Sequence, residues 1–340
     1  MAKSMVSTGL LVEIPTTFSY VDSVAKSVQT TILAVLLAGG AHLAGAQPAP
    51  SRRDAPSGTQ AAFDGNMAYS FLLKQTKFGP RGPGLPGHDR CLKFLRDELR
   101  KHADLVQLQE FFSTLPDGRK VQLTNLIASF NSRSANRMLI SAHWDTRLWA
   151  DKDPDKKNWN KPISGANDGA SGVAILLEIA RQLKNIPPPI GVDLVLFDGE
   201  DLGKSGRPES FSVGAKYFAA NKPAGFNPRF GINIDMVGDR TLRIYREQNS
   251  ERLAPEIQNL VFSTAKNLNI TQFIDSAGEE ITDDHLPLNN AGIPTIDLID
   301  FSYPDDSNRY WHTLADTPDK CSAESLAAVG RVLMSIIHSQ

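Results

Sequence analysis

Residues 137–142 read RMLISA and run straight into His143-Trp144-Asp145, while residues 192–197 read VDLVLF and run into Asp198-Gly199-Glu200-Asp201. Two more apolar runs, FGINIDMV at 230–237 and PTIDLI at 294–299, are likewise bounded by Gly, Asp, Pro or Asn. Runs this short and this uniformly apolar predict strands buried on both faces. Val173, Leu176, Leu177, Ala180 and Leu183 keep the i, i+3, i+4, i+7 spacing of an amphipathic helix. Leu326, Val329, Leu333 and Ile336 or Ile337 repeat it near the C-terminus. Strands alternating with helices predict an α/β domain with a central mixed, mainly parallel β-sheet flanked by helices. Such a sheet binds ligands at the carboxyl ends of its strands, so the residues just past each run are the candidates for function.

The composition fits an ordinary globular chain. Its 340 residues are 41% apolar and 22% charged, and 36 basic against 38 acidic side chains leave a net charge of −2. That balance gives no support to disorder or to a nucleic-acid partner. With two cysteines and no C-x-x-C, zinc ribbons and dithiol motifs are excluded, so any metal must be held by carboxylates and histidines. Near the N-terminus, Lys26, the stretch ILAVLLAGGA at 32–41 and the small-x-small site Ala44-Gly45-Ala46 read as a secretory signal. The apolar core is too short, and too broken by glycine, for a spanning helix of about 20 residues. The expected organisation is a leader over 1–46, a polar linker over 47–60 and one catalytic domain over 61–340. The expected location is secreted or periplasmic, without stable membrane insertion after signal cleavage. In such a compartment Cys91 and Cys321 could pair, but the sequence does not say whether they meet.

The ends of the apolar runs carry acids and imidazoles. After RMLISA comes His143-Trp144-Asp145, after VDLVLF come Glu200 and Asp201, and FGINI leads into Asp235. SGANDGASG at 164–172 places Asp168 just before the first amphipathic helix, and Asp283-Asp284-His285 and Trp311-His312-Thr313 follow. Singly, each has an ordinary explanation: an Asp before a helix is usually a cap, and adjacent acids usually belong to a solvated turn. Five segments converging on one sheet edge are harder to explain, because carboxylates buried without a partner are too costly. A cation is expected among them, and oxygen plus imidazole ligands without thiolate fit zinc. The phosphate-loop spacing, the G-x-S-x-G elbow and H-E-x-x-H are absent. Trp144 and Trp149 read as core residues.

In their order along the chain, H-x-D at 143–145, GANDGASG at 165–172, DGED at 198–201, NIDM at 233–236, DDH at 283–285 and WHT at 311–313 resemble the motif set of the zinc aminopeptidase and glutaminyl cyclase superfamily. The resemblance spans about residues 65–338 and implies a zinc-aminopeptidase-like single domain. Carried over from the aminopeptidases, it implies one metal on His143, Asp168 and Asp235 and another on Asp168, Asp201 and His312. Glutaminyl cyclases keep the second alone. Asp283, Trp311 and the stretch from His143 to Asp151 draw the chain toward the cyclases. Asp201 in place of the commoner Glu, and Gly206 where animal cyclases carry a pocket Trp, depart from the animal type, and the first is shared with bacterial members, so the chain resembles the bacterial type.

The cyclase resemblance implies one zinc per chain on Asp168, Asp201 and His312. It makes Glu200 the proton shuttle, Asp283 and Asp235 the groups that hold the reacting nitrogens, and Trp311 the apolar wall; His143 is a second-metal ligand or structural. The reaction expected is closure of an N-terminal glutaminyl residue of a peptide or protein to pyroglutamyl with release of ammonia. The alternative is a co-catalytic aminopeptidase with two zinc ions, and a third possibility is a non-enzymatic relative without metal.

Overall fold

The computed structural model describes residues 63–115 and 117–340, which all belong to one compact unit. The leader, cleavage site and linker expected over residues 1–60 fall outside these residues. The four apolar runs are strands: β3 (Arg137–His143), β4 (Gly191–Phe197), β5 (Gly231–Asp235) and β8 (Thr295–Ile299). Ahead of them, β1 (Leu105–Thr114) and β2 (Lys120–Phe130) form an antiparallel hairpin that no apolar run announces. The six strands make one sheet in the order β1-β2-β4-β3-β5-β8. β2 lies antiparallel to β4, whereas β4-β3, β3-β5 and β5-β8 are parallel, so the sheet is mixed with its parallel half around the centre. Strands β6 (Ile244–Arg246) and β7 (Phe273–Ala277) form a separate parallel pair.

Strand alternation sends side chains to both faces. Met138, Ile140, Ala142, Val192, Leu194, Leu196, Ile232 and Ile234 enter the larger core, beneath α1 (Gly65–Lys77), α2 (Pro86–Leu99) and α3 (Ala170–Asn185). α6 (Pro255–Asn267) and α8 (Ala323–Ser339) complete that layer. Leu139, Val195 and Phe197 point the other way, onto α4 (Val213–Ala220) and α7 (His285–Asn290). The short α5 (Gln248–Leu253) precedes α6. The helices expected at 173–183 and 326–337 are α3 and α8. No helix among the described residues is long and apolar enough to cross a membrane.

Cys91 and Cys321 are both buried and free, so the pairing left open by the sequence is not made. Trp144 is core, fully buried with its Nε1–H donated to Thr124 O at 3.1 Å. Trp149 is not: it is half-buried against the Leu148 cluster and lines a surface cavity beside Trp159.

Two glycines of GANDGASG explain why that loop can aim an acid at the sheet. Gly169, the N-cap of α3, has φ +95°, and a Cβ there would lie 2.4 Å from Asp145 O. At Gly172 a Cβ would lie 2.6 Å from Ile234 O, so glycine allows the first turn of α3 to sit directly on β5.

Candidate active site

The carboxyl ends of β3, β4 and β5 and the turn before α3 meet at one point. His143 ends β3 and Asp235 ends β5, with His143 Nε2 at 3.1 Å from Asp235 Oδ1 and 3.2 Å from Asp168 Oδ1. His312 Nε2 approaches the same acid from the other side, 3.5 Å from Asp168 Oδ2 and 3.1 Å from Asp201 Oδ1. Asp168 therefore bridges two trios, His143-Asp168-Asp235 and Asp168-Asp201-His312, each with its ligand atoms within 4.8 Å of one another.

Buried carboxylates also hold the backbone around the trios. Asp145 accepts the N–H groups of Glu200 at 3.1 Å and Asp201 at 3.2 Å, which anchors the single helical turn after β4. Asp316 accepts those of Asn167 at 2.8 Å and Asp168 at 3.2 Å. Arg147 donates to Asp151 and to the carbonyls of Asp201 and Gly203, and its Nη1 lies 3.4 Å from Asp201 Oδ1. Two non-glycine residues here have left-handed backbones, Met236 at φ +49° and His312 at φ +54°. Strain of this kind persists where the surroundings over-determine it and clusters at functional sites.

Above the trios opens a cavity of about 330 Å³, whose wall includes Asp168, Glu200, Asp235, Asp283, Trp311 and His312. Asp201 and His143 are not on the wall but buried in its floor, so four of the five candidate acids face the cavity. Trp311 stacks on the His312 ring at 3.8 Å between centroids and meets Phe301 edge-on at 5.0 Å.

The electrostatics follow from this crowding. Burial, with Asp201 nearby, pushes the Asp168 carboxyl well above its usual range; burial, Asp283 and Asp201 do the same to Glu200. Burial and Asp235 raise Asp283 to about 6. Burial would also raise Asp201, but His312 and Arg147 outweigh it and hold that carboxyl low. His143 is raised despite burial by Asp235 and by hydrogen bonds to Asp145, Asp168 and Asp235. A divalent cation would relieve the acids in one step. Among the carboxylate oxygens of the two trios, the buried ones without a hydrogen-bond partner are Asp168 Oδ2 and Asp201 Oδ2. Both belong to the trio of Asp168, Asp201 and His312, and two acid oxygens with an imidazole form a donor set that fits zinc.

The family model described as peptidase family M28 matches residues 125–337, from the middle of β2 into the last turn of α8. The chain belongs to peptidase family M28. Within it the chain is similar to a glutaminyl cyclase of Bacteroides thetaiotaomicron crystallised with N-acetylhistamine. The two are 38% identical with a TM-score of 0.78, over 82% of this chain and 98% of that one. It is also similar to a Zn-dependent exopeptidase of Parabacteroides distasonis, 36% identical with a TM-score of 0.79, over 82% of this chain and 99% of that one. Among curated proteins, a glutaminyl-peptide cyclotransferase-like protein of Bos taurus is 24% identical over 74% of this chain and 70% of its own length. The chain is thus an M28 member of the bacterial glutaminyl cyclase type, with the zinc-aminopeptidase-like fold expected from its motifs.

Some residues of this M28 site gave little signal in the sequence. Arg147 sits in the stretch between His143 and Asp151 without a motif of its own, yet it lines the cavity and hydrogen-bonds to Asp201. Phe301 follows β8 and completes the aromatic wall. In both cases only the fold brings the residue to the site.

Proposed function

We propose that this chain is a glutaminyl-peptide cyclotransferase that works with one zinc ion held by Asp168, Asp201 and His312. The observation that supports this site is the convergence of these three side chains around two partnerless acid oxygens, and the single-metal count is that of the glutaminyl cyclases the chain resembles. Asp168 Oδ2 and Asp201 Oδ2 are buried without a hydrogen-bond partner, and both acids approach His312 Nε2. When bound, the zinc supplies Lewis acidity toward the γ-carbonyl oxygen of the substrate glutamine.

The substrate carries its own nucleophile, so the site's work is orientation and proton movement. The α-amino nitrogen attacks the side-chain amide carbon, the ring C–N bond forms, and the bond to the amide nitrogen breaks to release ammonia. Glu200, on the cavity wall and with its proton affinity raised by burial and by Asp283, takes the proton from the α-ammonium and returns it to the departing nitrogen. Asp283 and Asp235 line the same wall and hold the amine and the amide nitrogen. Trp311 and Phe301 form the apolar side that excludes longer or charged side chains. Mass spectrometry of a Gln-initiated peptide incubated with the protein tests the reaction: loss of one ammonia is expected, and an unchanged or shortened peptide contradicts it.

Trp311→Ala is expected to raise KM for Gln-peptides by about tenfold, the effect of removing a large apolar contact. Steady-state kinetics reads it, and unchanged KM would remove Trp311 from the substrate wall. The same proposal places the protein in a secreted or periplasmic location after loss of residues 1–46. N-terminal sequencing of the exported chain should begin near Gln47; a start at Met1 contradicts the leader.

A second reading is carried by the His143-Asp168-Asp235 trio, whose ligand atoms also converge. With metals on both trios, Glu200 would act as base toward a water and the product would be a free N-terminal amino acid.

A further inference from the structure

Three polar residues lie side by side in the middle of strands whose flanking residues are apolar. Ser141 on β3 pairs in register with Asn233 on β5, and Asn233 pairs with Asp297 on β8. Each is at most 1% exposed. Their neighbours Ile140 and Ala142, Ile232 and Ile234, and Ile296 and Leu298 belong to the larger core, so alternation turns this row to the opposite face, where α7 packs. A buried hydroxyl, amide and carboxylate are costly unless hydrogen-bonded, and apolar side chains would fill the same places without that cost.

The bonds of the row converge on one residue of the cavity wall. Ser141 Oγ donates to Asn233 Oδ1 at 2.7 Å, which sets the orientation of the amide. Asn233 Nδ2 then has two N–H groups to give, and it gives one to Asp297 Oδ1 at 3.1 Å and one to Asp283 Oδ2 at 3.0 Å. The flipped amide would set its oxygen against two carboxylates. The other oxygen of Asp283 accepts the Asp284 N–H. Each Asp283 oxygen is therefore held by one donor and keeps lone-pair capacity for a substrate in the cavity that Asp283 lines.

The far end of the row is anchored as firmly. The Asp297 N–H goes to Ser250 Oγ at 2.9 Å, and Ser250 Oγ donates to Glu247, which caps α5. His285 stands between the two acids, Nε2 at 3.5 Å from Glu247 and Nδ1 at 3.8 Å from Asp297. Asn233 is thus fixed from both sides while its second N–H is spent on Asp283.

We propose that Asn233 is a positioning residue which, locked by Ser141 and Asp297, aims the Asp283 carboxylate at the substrate nitrogen; this rests on the cyclotransferase reading above. Without it Asp283 keeps one donor and loses its fixed rotamer. The side-chain hydrogen bonds of Asn233 go to Ser141, Asp283 and Asp297 and to neither trio, so the defect falls on substrates that need Asp283. A ligand that only reaches the metal is unaffected.

The test compares Asn233→Leu, and Ser141→Ala as a milder second variant, with the parent protein in zinc. Four quantities are measured: KM and kcat for a Gln-peptide, the inhibition constant of imidazole, zinc content and Tm. Imidazole binds metal through a ring nitrogen and carries no ammonium for Asp283 to hold. Asn233→Leu is expected to lower kcat/KM by about 10- to 100-fold, the range for a lost hydrogen bond to a charged group, mostly through KM. Its imidazole inhibition and zinc content should stay at the parent's values. Ser141→Ala should shift KM in the same direction by less, and decides the matter on the same criteria if Asn233→Leu does not fold. An unchanged KM overturns the proposal, as does a KM that rises in step with the imidazole constant, the signature of a row that only stabilises the fold. A parent protein that releases no ammonia from the Gln-peptide overturns the cyclotransferase reading itself, and this inference with it.

Discussion

Glu200→Gln lowers turnover of an N-terminal glutaminyl peptide by about 10³-fold, within the range for loss of a positioned general acid–base, and leaves zinc content at the parent's value. The substitution keeps size and hydrogen-bonding capacity while removing the proton that must travel from the α-ammonium to the leaving nitrogen. Glu200 suits that task because burial and the neighbouring Asp283 raise its proton affinity, and because it stands on the cavity wall while Asp201, next in sequence, lies in the floor. Its backbone N–H is fixed by Asp145 and not by its own side chain, so the turn that places Asp201 survives the change. Ammonia release together with metal analysis reads the result. Turnover within a few-fold of the parent would remove Glu200 from the proton path, and loss of zinc would make it a metal residue instead.

Removing the metal, by chelation or by His312→Ala, abolishes turnover and lowers Tm, and the Tm gap between loaded and stripped protein is wider at pH 8 than at pH 5. The size follows from mass action: about 4 kcal/mol when free zinc stands near 1,000 times its Kd. The sign follows from linkage. Burial and Asp201 raise Asp168, and burial and Asp283 raise Glu200, so the stripped folded chain binds protons that the unfolded chain releases. That contribution to stability is fully present below the ordinary carboxylate pKa near about 4. It is lost as pH rises toward the raised folded values. Bound zinc removes the need for those protons, and its own affinity grows as its ligands deprotonate. Asp201, held low by His312 and Arg147, contributes in the opposite sense, but its gain is complete above the ordinary carboxylate range and does not change between pH 5 and 8. Calorimetry at the two pH values checks this, and a gap that is constant or narrower at pH 8 contradicts it.

The parts of the fold that the sequence announces are those buried on both faces. RMLISA, VDLVLF and GINID are central strands of the parallel half and TIDLI is its edge strand, yet all four are buried along almost their whole length and so read as nearly continuous apolar runs. The β1–β2 hairpin gave no comparable signal because β1 is largely exposed, with Leu105 and Phe112 facing water, and β2 interrupts its buried stretch with Thr124, Asn125 and Ser129. Glu200, Asp201 and Asp235 were legible because each stands directly past an apolar run, where acids have no packing role, whereas Asp168, Asp283 and His312 lie in polar loops and stood out only through the motifs that carry the family resemblance. The floor position of Asp201 and His143 was not legible, since depth below a cavity is a property of several segments at once. The row of Ser141, Asn233 and Asp297 was the least visible feature. Each residue alone reads as an interruption in a strand, and only the register that sets the three side by side reveals one hydrogen-bonded unit. Free Cys91 and Cys321 illustrate the same limit, because compartment says whether a disulfide can persist and only geometry says whether it forms.

The central claim is that the cavity above Asp168, Asp201 and His312 closes glutaminyl N-termini with one zinc. The measurement that tests it most directly is a paired assay on protein of known zinc content, with a Gln-peptide and a leucine anilide as substrates. The account predicts ammonia and a pyroglutamyl product from the first, nothing from the second, and full activity at one zinc per chain. Release of leucine, with activity that requires two zinc ions per chain, would contradict it and establish the peptidase.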